Sequence, residues 1–188
     1  GGGTTEFSII SVGGAVVSSS IKIAGQRMTE DIMRYIKSEH KLLIGEPTAE
    51  ALKINIGSAT PLEERLEMHV RGRDLSSGLP KEVVAKNAQV RAAIQRSLKA
   101  IAESAKNLLE ESPPELVGDV YERGIYLTGG GALLRGMDKY LEKELMVHVN
   151  LVDDPLTCVV RGLGIIIEDL PRYSTILSNQ ERPRLVNL

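Results

Sequence analysis

Two glycine-rich turns constrain this chain more than anything else in it. Gly1-Gly2-Gly3-Thr4-Thr5 runs straight into an apolar alternating stretch, and Thr128-Gly129-Gly130-Gly131-Ala132 sits between a strand-like segment and a helix-like one. Without Cβ atoms, several backbone N–H groups can converge on one anion, and a helix following the second turn would add the positive end of its dipole. Either turn alone also reads as a tight loop. Together, in this order, they predict one phosphate-binding end shared by both. Thr4 and Thr5 would then place hydroxyls near the terminal phosphates or a magnesium-bound water.

The segments between the turns read as alternating strands and helices. Phe7, Ile9, Ile10 and Val12, then Val16, Val17, Ile21 and Ile23, form β-like runs split by Gly13-Gly14, which predicts two antiparallel strands and a tight hairpin. From Gly25 to Lys41, Met28, Ile32, Tyr35 and Ile36, with Leu43 beyond, recur at helical spacing. Glu30 and Asp31 are expected near that helix's favourable positive end. Thr48 reads as the N-cap of a short helix that Gly57 stops, with Leu52 and Ile56 on one face and Glu50 and Lys53 on the other.

Leu66, Met68 and Val70 alternate, followed by a polar turn at Asp74 to Gly78 and a run from Pro80 to Val84, which predicts a hairpin projecting from the body. Val90, Ile94, Leu98, Ile101, Ala105 and Leu108 form one stripe of a long helix over Ala85 to Glu111, stopped by Pro113-Pro114. A strand at Gly124 to Thr128, a helix from Leu133 to Leu145, a strand at Val147 to Leu151 and a helix from about Pro155 to Asp169 complete the order. This order predicts an α/β layer sandwich, with one unit inserted from about Gly25 to Ser112 and a loosely held tail after Arg172.

Composition excludes some functions. With 188 residues, a formal charge of −2, no Trp and one Phe, the chain lacks both the basic surface and the aromatic platforms that hold nucleic acid. The lone Cys158 fits a reducing compartment and, in its apolar stretch, a small buried hydrophobe. No apolar run approaches the ~20 residues of a membrane span, and no signal-peptide pattern opens the chain. His40, His69 and His148 are scattered, without zinc-ligand spacing, and no serine sits in a nucleophile elbow.

The Glu50–Lys53 pair reads alone as a solvated ion pair. Between two glycine turns it reads as a polar helix face that contacts a ribose and an adenine edge.

A wider set of residues carries a family resemblance: Gly1 to Glu6, Val16 to Ser20, Ile23-Ala24-Gly25, Tyr35 to Lys37, Leu43 to Glu46, Thr48-Ala49-Glu50, Lys53, Ile56 to Ala59, Gly72 to Leu75, Thr128 to Gly136 and Asp154 to Thr157. The pattern closely resembles the MreB family of bacterial actin homologues, including its Mbl-type relatives, over nearly the whole chain to about Tyr173. The resemblance implies an actin-like ATPase fold, in which two RNase H-like halves close on Mg²⁺ and ATP and the protomers stack into filaments that guide cell-wall synthesis and rod shape.

The chain looks like the second half of such a protein. Residues 1–24 and 113–153 would form its RNase H-like core, 25–112 an inserted subdomain, 154–171 a helix returning toward the first half, and 172–188 a flexible tail. The resemblance makes Gly1, Gly2, Gly3, Thr4 and Thr5 the second phosphate loop. It places Glu50, Ala51, Leu52 and Lys53 on the adenosine-binding helix, and Gly129, Gly130, Gly131, Ala132 and Leu133 in the adenosine-binding turn. It also implies self-association, the wall-elongation machinery as partner, and a cytoplasmic place at the inner face of the membrane, reached through the N-terminal half.

Departures from the pattern bear on activity. The first phosphate loop, the acidic residue that positions attacking water and the aspartate before the first glycine run have no counterpart here, and Asn55 stands where the family usually has Glu. In-line attack on a γ-phosphate needs positioning on both sides, so this stretch alone is expected not to hydrolyse ATP. A sugar kinase or chaperone ATPase of the same superfamily, or a paralogue that does not polymerise, are the alternative readings.

Overall fold

Alternating apolar residues fold the first stretch into β1 (Thr5–Ser11), paired antiparallel with β2 (Gly14–Ile21), with one register shift between Ile9 and Ile10. The computed structural model describes residues 1–11, 14–178 and 184–185; the hairpin tip at residues 12–13 therefore lies outside the described residues.

Helix α1 (Gly25–His40) buries Met28, Thr29, Ile32 and Ile36 along one face. It ends at Lys41, whose φ of 52° turns the chain into the left-handed region, so Leu43 does not extend the helix; Leu42–Leu43 form β3 instead. Glu30 and Asp31 lie beyond the first turn, where they pair with arginines: Arg34 Nη2 stands 2.7 Å from Asp31 Oδ1.

Helix α2 (Glu46–Ile56) begins two residues before Thr48, with Gly45 as its N-cap. Pro47 occupies a first-turn position where its missing N–H costs nothing, which puts Thr48 inside the helix rather than at its cap. Gly57 does stop it, by close approach rather than left-handed geometry: a Cβ there would stand 2.2 Å from the Lys53 carbonyl oxygen.

Strands β4 (Glu67–Asp74) and β5 (Pro80–Lys86) form the expected hairpin, but β3 pairs with β4 to complete a three-stranded antiparallel sheet. Val70 and Ala85 are buried, so one face of the hairpin belongs to the core, while its outer face, with His69 and Arg71, and its tip, with Leu75 and Leu79, are exposed. Because Ala85 pairs with Met68 in that sheet, the long helix starts two residues late, as α3 (Asn87–Glu110). All six residues of its predicted stripe are buried.

Pro113-Pro114 does end α3, but Pro114 also opens a further helix, α4 (Pro114–Arg123), in which no residue is buried. Strand β6 (Ile125–Leu127) pairs parallel with β7 (Val149–Leu151), and α5 (Met137–Leu145) connects them. Helix α6 (Cys158–Glu168) and helix α7 (Leu170–Ser178) come next, so the stretch expected to be a loose tail is helical to Ser178. Arg184–Leu185 form β8, parallel to β2. Cys158 is half-buried at the head of α6 rather than a core residue.

One hydrophobic cluster runs from Ile21 through α1, α2, the hairpin base and α3 to Tyr140, Leu141 and Val149. Among the described residues no helix is long and apolar enough to cross a membrane.

Candidate functional site

The first glycine run folds back on the start of α1: the Gln26 amide donates to the Gly2 carbonyl at 2.8 Å, and Thr5 Oγ1 donates to the Ile23 carbonyl at 2.7 Å. Thr5 therefore uses its hydroxyl proton within the backbone. Thr4 keeps its side chain free of hydrogen bonds among the described residues, while its carbonyl accepts from the Gly1 nitrogen at 3.0 Å. Neither Gly2 nor Gly3 adopts a left-handed φ, and a Cβ would meet nothing within 4 Å at Gly2 and only the end of the Gln26 side chain, at 3.9 Å, at Gly3. The fold itself does not require these residues to be glycines.

The second turn comes to the same place. Gly129 has a φ of +87°, its amide donates to the Pro155 carbonyl at 2.9 Å, and a Cβ on it would lie 3.7 Å from the Gly1 nitrogen. Gly130 faces Leu156 and Gly131 faces open space. The segment beyond the turn departs from the expected helix: Gly130–Leu133 form a short 3₁₀ turn, and α5 starts only at Met137, so the glycines do not carry the positive end of α5. Within that 3₁₀ turn Ala132 is buried and Leu133 is exposed.

Helix α2 brings the polar pair to the same end. Lys53 Nζ donates to Glu50 Oε2 at 2.7 Å, to the Gly25 carbonyl at 2.8 Å and to Thr29 Oγ1 at 3.0 Å. Thr29 Oγ1 also lies 2.5 Å from Glu50 Oε2. The Lys53 side chain is 13% exposed and that of Glu50 43% exposed, so this is a half-buried network rather than a solvated ion pair. Burial pushes the Glu50 carboxyl up, but the hydrogen bonds from Lys53 and Thr29 and the Lys53 charge outweigh it and hold the carboxyl below its usual range. Ala51 is half-buried and Leu52 is 0% exposed, so Leu52 anchors α2 to the core and does not reach the polar end.

Arg135 fastens α2 to the loop after the second turn. Its guanidinium donates to the carbonyls of Ile54 and Gly57 at 3.0 and 3.4 Å, and its own carbonyl accepts from the Ala59 amide at 2.8 Å. Sequence reasoning misses both Arg135 and Thr29 as members of the site. Thr29 leaves one signal, a hydroxyl on the face of α1 that is otherwise apolar.

The arrangement therefore joins Gly1, Gly25, Glu50, Lys53 and Gly129 at one end of the molecule: two strips of bare backbone, a carboxylate and the start of a helix. Residues 1–175 match the family described as MreB/Mbl protein. The chain is 44% identical over 172 residues to the cell shape-determining protein Mbl of Bacillus subtilis (strain 168), covering 92% of this chain and 52% of that protein. It is likewise 44% identical over 181 residues to the cell shape-determining protein MreB of Escherichia coli (strain K12), covering 96% of this chain and 52% of that one. The chain thus spans about half the length of the curated relatives it matches.

Among solved structures, MreB5 of Spiroplasma citri bound to AMPPNP aligns with a TM-score of 0.87 at 40% identity, covering 91% of this chain and 51% of that one. The MamK double helical filament aligns at 0.75 with 26% identity, covering 91% and 53%. An actin-like α/β fold, two glycine turns meeting across one gap and a family match over nearly every described residue lead to one assignment: the chain belongs to the MreB/Mbl family.

Proposed function

We propose that this chain forms one wall of an ATP site in an actin-like cytoskeletal protein whose nucleotide state controls assembly into filaments that shape the cell. One observation carries the reading: a glycine run that the fold itself does not require faces Gly129 across a gap that a single Cβ would narrow to 3.7 Å. Bare backbone on both sides fits a phosphate chain, whose oxygens accept from N–H groups that side chains would otherwise screen. Gly1 to Gly3 and Gly129 to Gly131 would hold ATP, with Thr4 nearest the terminal phosphates and Mg²⁺ bound mainly through phosphate oxygens and water. Glu50 would accept from the ribose.

Helix α6 supports a larger protein around this wall. It has no buried residue and exposes Val159, Val160, Leu163 and Ile167, an apolar surface suited to packing against the other half of the actin-like fold. With one wall alone, the γ-phosphate lacks its second clamp and this stretch does not turn ATP over. In the complete protein, ATP bridging both halves favours the closed protomer, that state stacks end to end, and hydrolysis removes a phosphate contact and weakens the preference. Wall-synthesis proteins and the inner membrane face are its proposed surroundings.

Sedimentation of a family-length protein containing this chain tests the reading, in Mg·ATP, Mg·ADP and without nucleotide. The expected result is pelleting favoured by ATP and abolished by Gly130→Phe. Protein that binds ATP yet stays in the supernatant at every concentration overturns the filament reading and moves the chaperone, kinase and silent-paralogue alternatives ahead.

A further inference from the structure

Thr29 is 1% exposed on the buried face of α1, where an alanine or valine would serve packing as well and a hydroxyl is costly unless it is used. Its hydroxyl sits between Glu50 and Lys53 of α2, accepting from Lys53 Nζ at 3.0 Å and lying 2.5 Å from Glu50 Oε2. The Gly25 carbonyl, 3.0 Å away, competes for its single proton, but the nearer and charged acceptor wins.

Glu50 is consequently fixed at one oxygen and open at the other. Oε2 takes both bonds, from Thr29 and Lys53, whereas Oε1 takes none among the described residues, and the side chain stays 43% exposed. Lys53 is the reverse case. Its three N–H bonds are matched by three acceptors, Gly25, Thr29 and Glu50, which leaves none for a phosphate.

We propose that Thr29 is a positioning residue that turns the open Oε1 of Glu50 toward a ligand hydroxyl, and so makes the site discriminate ribonucleotides from 2′-deoxyribonucleotides. Lys53 shares the task at the same oxygen, Oε2. The assignment rests on the nucleotide reading above and adds to it the origin of sugar selectivity. The network keeps Glu50 ionised and hence a pure acceptor, which suits a donor hydroxyl on the ligand.

The test measures equilibrium binding of ATP and 2′-deoxy-ATP to a family-length protein containing this chain, for the native residue, Thr29→Val and Thr29→Ser, with thermal midpoints recorded for each. The native protein is expected to prefer ATP by roughly tenfold, the size of one hydrogen bond to a charged acceptor. Thr29→Val lowers that ratio to about twofold by weakening ATP alone, and Thr29→Ser, which keeps the hydroxyl, restores it. Should the valine variant fail to fold, Thr29→Cys, close in size and a far weaker donor, carries the same expectation.

A purely structural threonine would weaken both nucleotides equally and leave the ratio unchanged, which overturns the positioning role. A native protein that binds both nucleotides alike overturns it too, while leaving the ATP site standing. Absence of any ATP binding overturns both readings.

Discussion

Gly129 approaches Gly1 so closely that the first carbon of any side chain on it would stand 3.7 Å from the Gly1 nitrogen, although 128 positions separate the two residues. Its φ of +87° with a ψ of 171° compounds the constraint, because that region is essentially reserved for glycine and an L-residue there costs about 1–3 kcal/mol. Gly129→Ala should therefore lower the unfolding free energy by about that amount and weaken ATP binding further, by narrowing the gap. Urea unfolding and nucleotide titration separate the two losses. Wild-type affinity in a folded alanine variant would contradict the shared site.

A second glycine is fixed mainly by backbone. At Gly57 a Cβ would meet the Lys53 carbonyl oxygen at 2.2 Å and Leu134 Cδ1 at 3.2 Å. Gly57→Ala should cost about 1–3 kcal/mol, the range of an overpacked core position, and should loosen the end of α2 that carries Lys53. Chemical denaturation of the variant measures the cost, and hydrogen exchange at the last turn of α2 locates it.

Part of the acid sensitivity should trace to Glu142. Lys139 Nζ at 2.9 Å, the Val149 amide at 3.1 Å and His148 Nδ1 at 2.6 Å surround its carboxylate. The Lys139 hydrogen bond first, then that of Val149, pull it from the ordinary 4.5 down to about 2, against the opposing effect of burial. A carboxyl depressed in the folded state favours folding above its ordinary value and loses that contribution as the pH falls through the folded one. Glu142→Gln should accordingly be less stable than the native chain at neutral pH, with the gap closing between about pH 4.5 and about pH 2. Unfolding midpoints across that window are the check, and a gap of constant size would exclude Glu142 as the source.

The stripe of α3 predicts a contrast between neighbours. Leu98 is 0% exposed in the core, whereas Lys99 points outward to a pairing with Glu103 at 3.6 Å. Leu98→Ala should cost about 2–5 kcal/mol, while Lys99→Ala should stay within about 0.5 kcal/mol. Equal effects in thermal unfolding would mean that α3 is rotated from the orientation described.

Elements with a buried face are legible in the sequence. Helices α1 and α3 announce themselves by apolar spacing because packing against one core imposes that spacing, and β1, β2, β4 and β5 by alternation for the same reason. Helix α4 is invisible on this basis. None of its residues is fully buried, Leu116, Val117 and Val120 being only half-buried, and its opening Pro114 reads as a stop, although proline suits a helix start as well as a helix end.

The site divides along similar lines. Backbone-driven features, the two glycine turns, can be read because glycine is itself the signal. Side-chain partnerships between separate elements cannot, although the Glu50–Lys53 pair within α2 can. Lys53 reads as a ligand contact because nothing in a sequence shows that the Gly25 carbonyl and Thr29 already take up its ammonium. The resemblance sets Leu52 beside Glu50 and Lys53, although the helix turns it to the opposite, buried face, as its apolar spacing with Ile56 predicts.

Every member of the main hydrophobic cluster lies between Ile21 and Val149. Synthesis therefore completes the core before α6 and α7 emerge, and nothing in that core waits for them. Helix α6 is tethered at its head, where Arg161 Nη2 donates to the Asp153 carbonyl at 2.6 Å, but it has no seat of its own. The core is thus complete within the chain before its last two helices are made, and the apolar residues of α6 are left over once that core is filled.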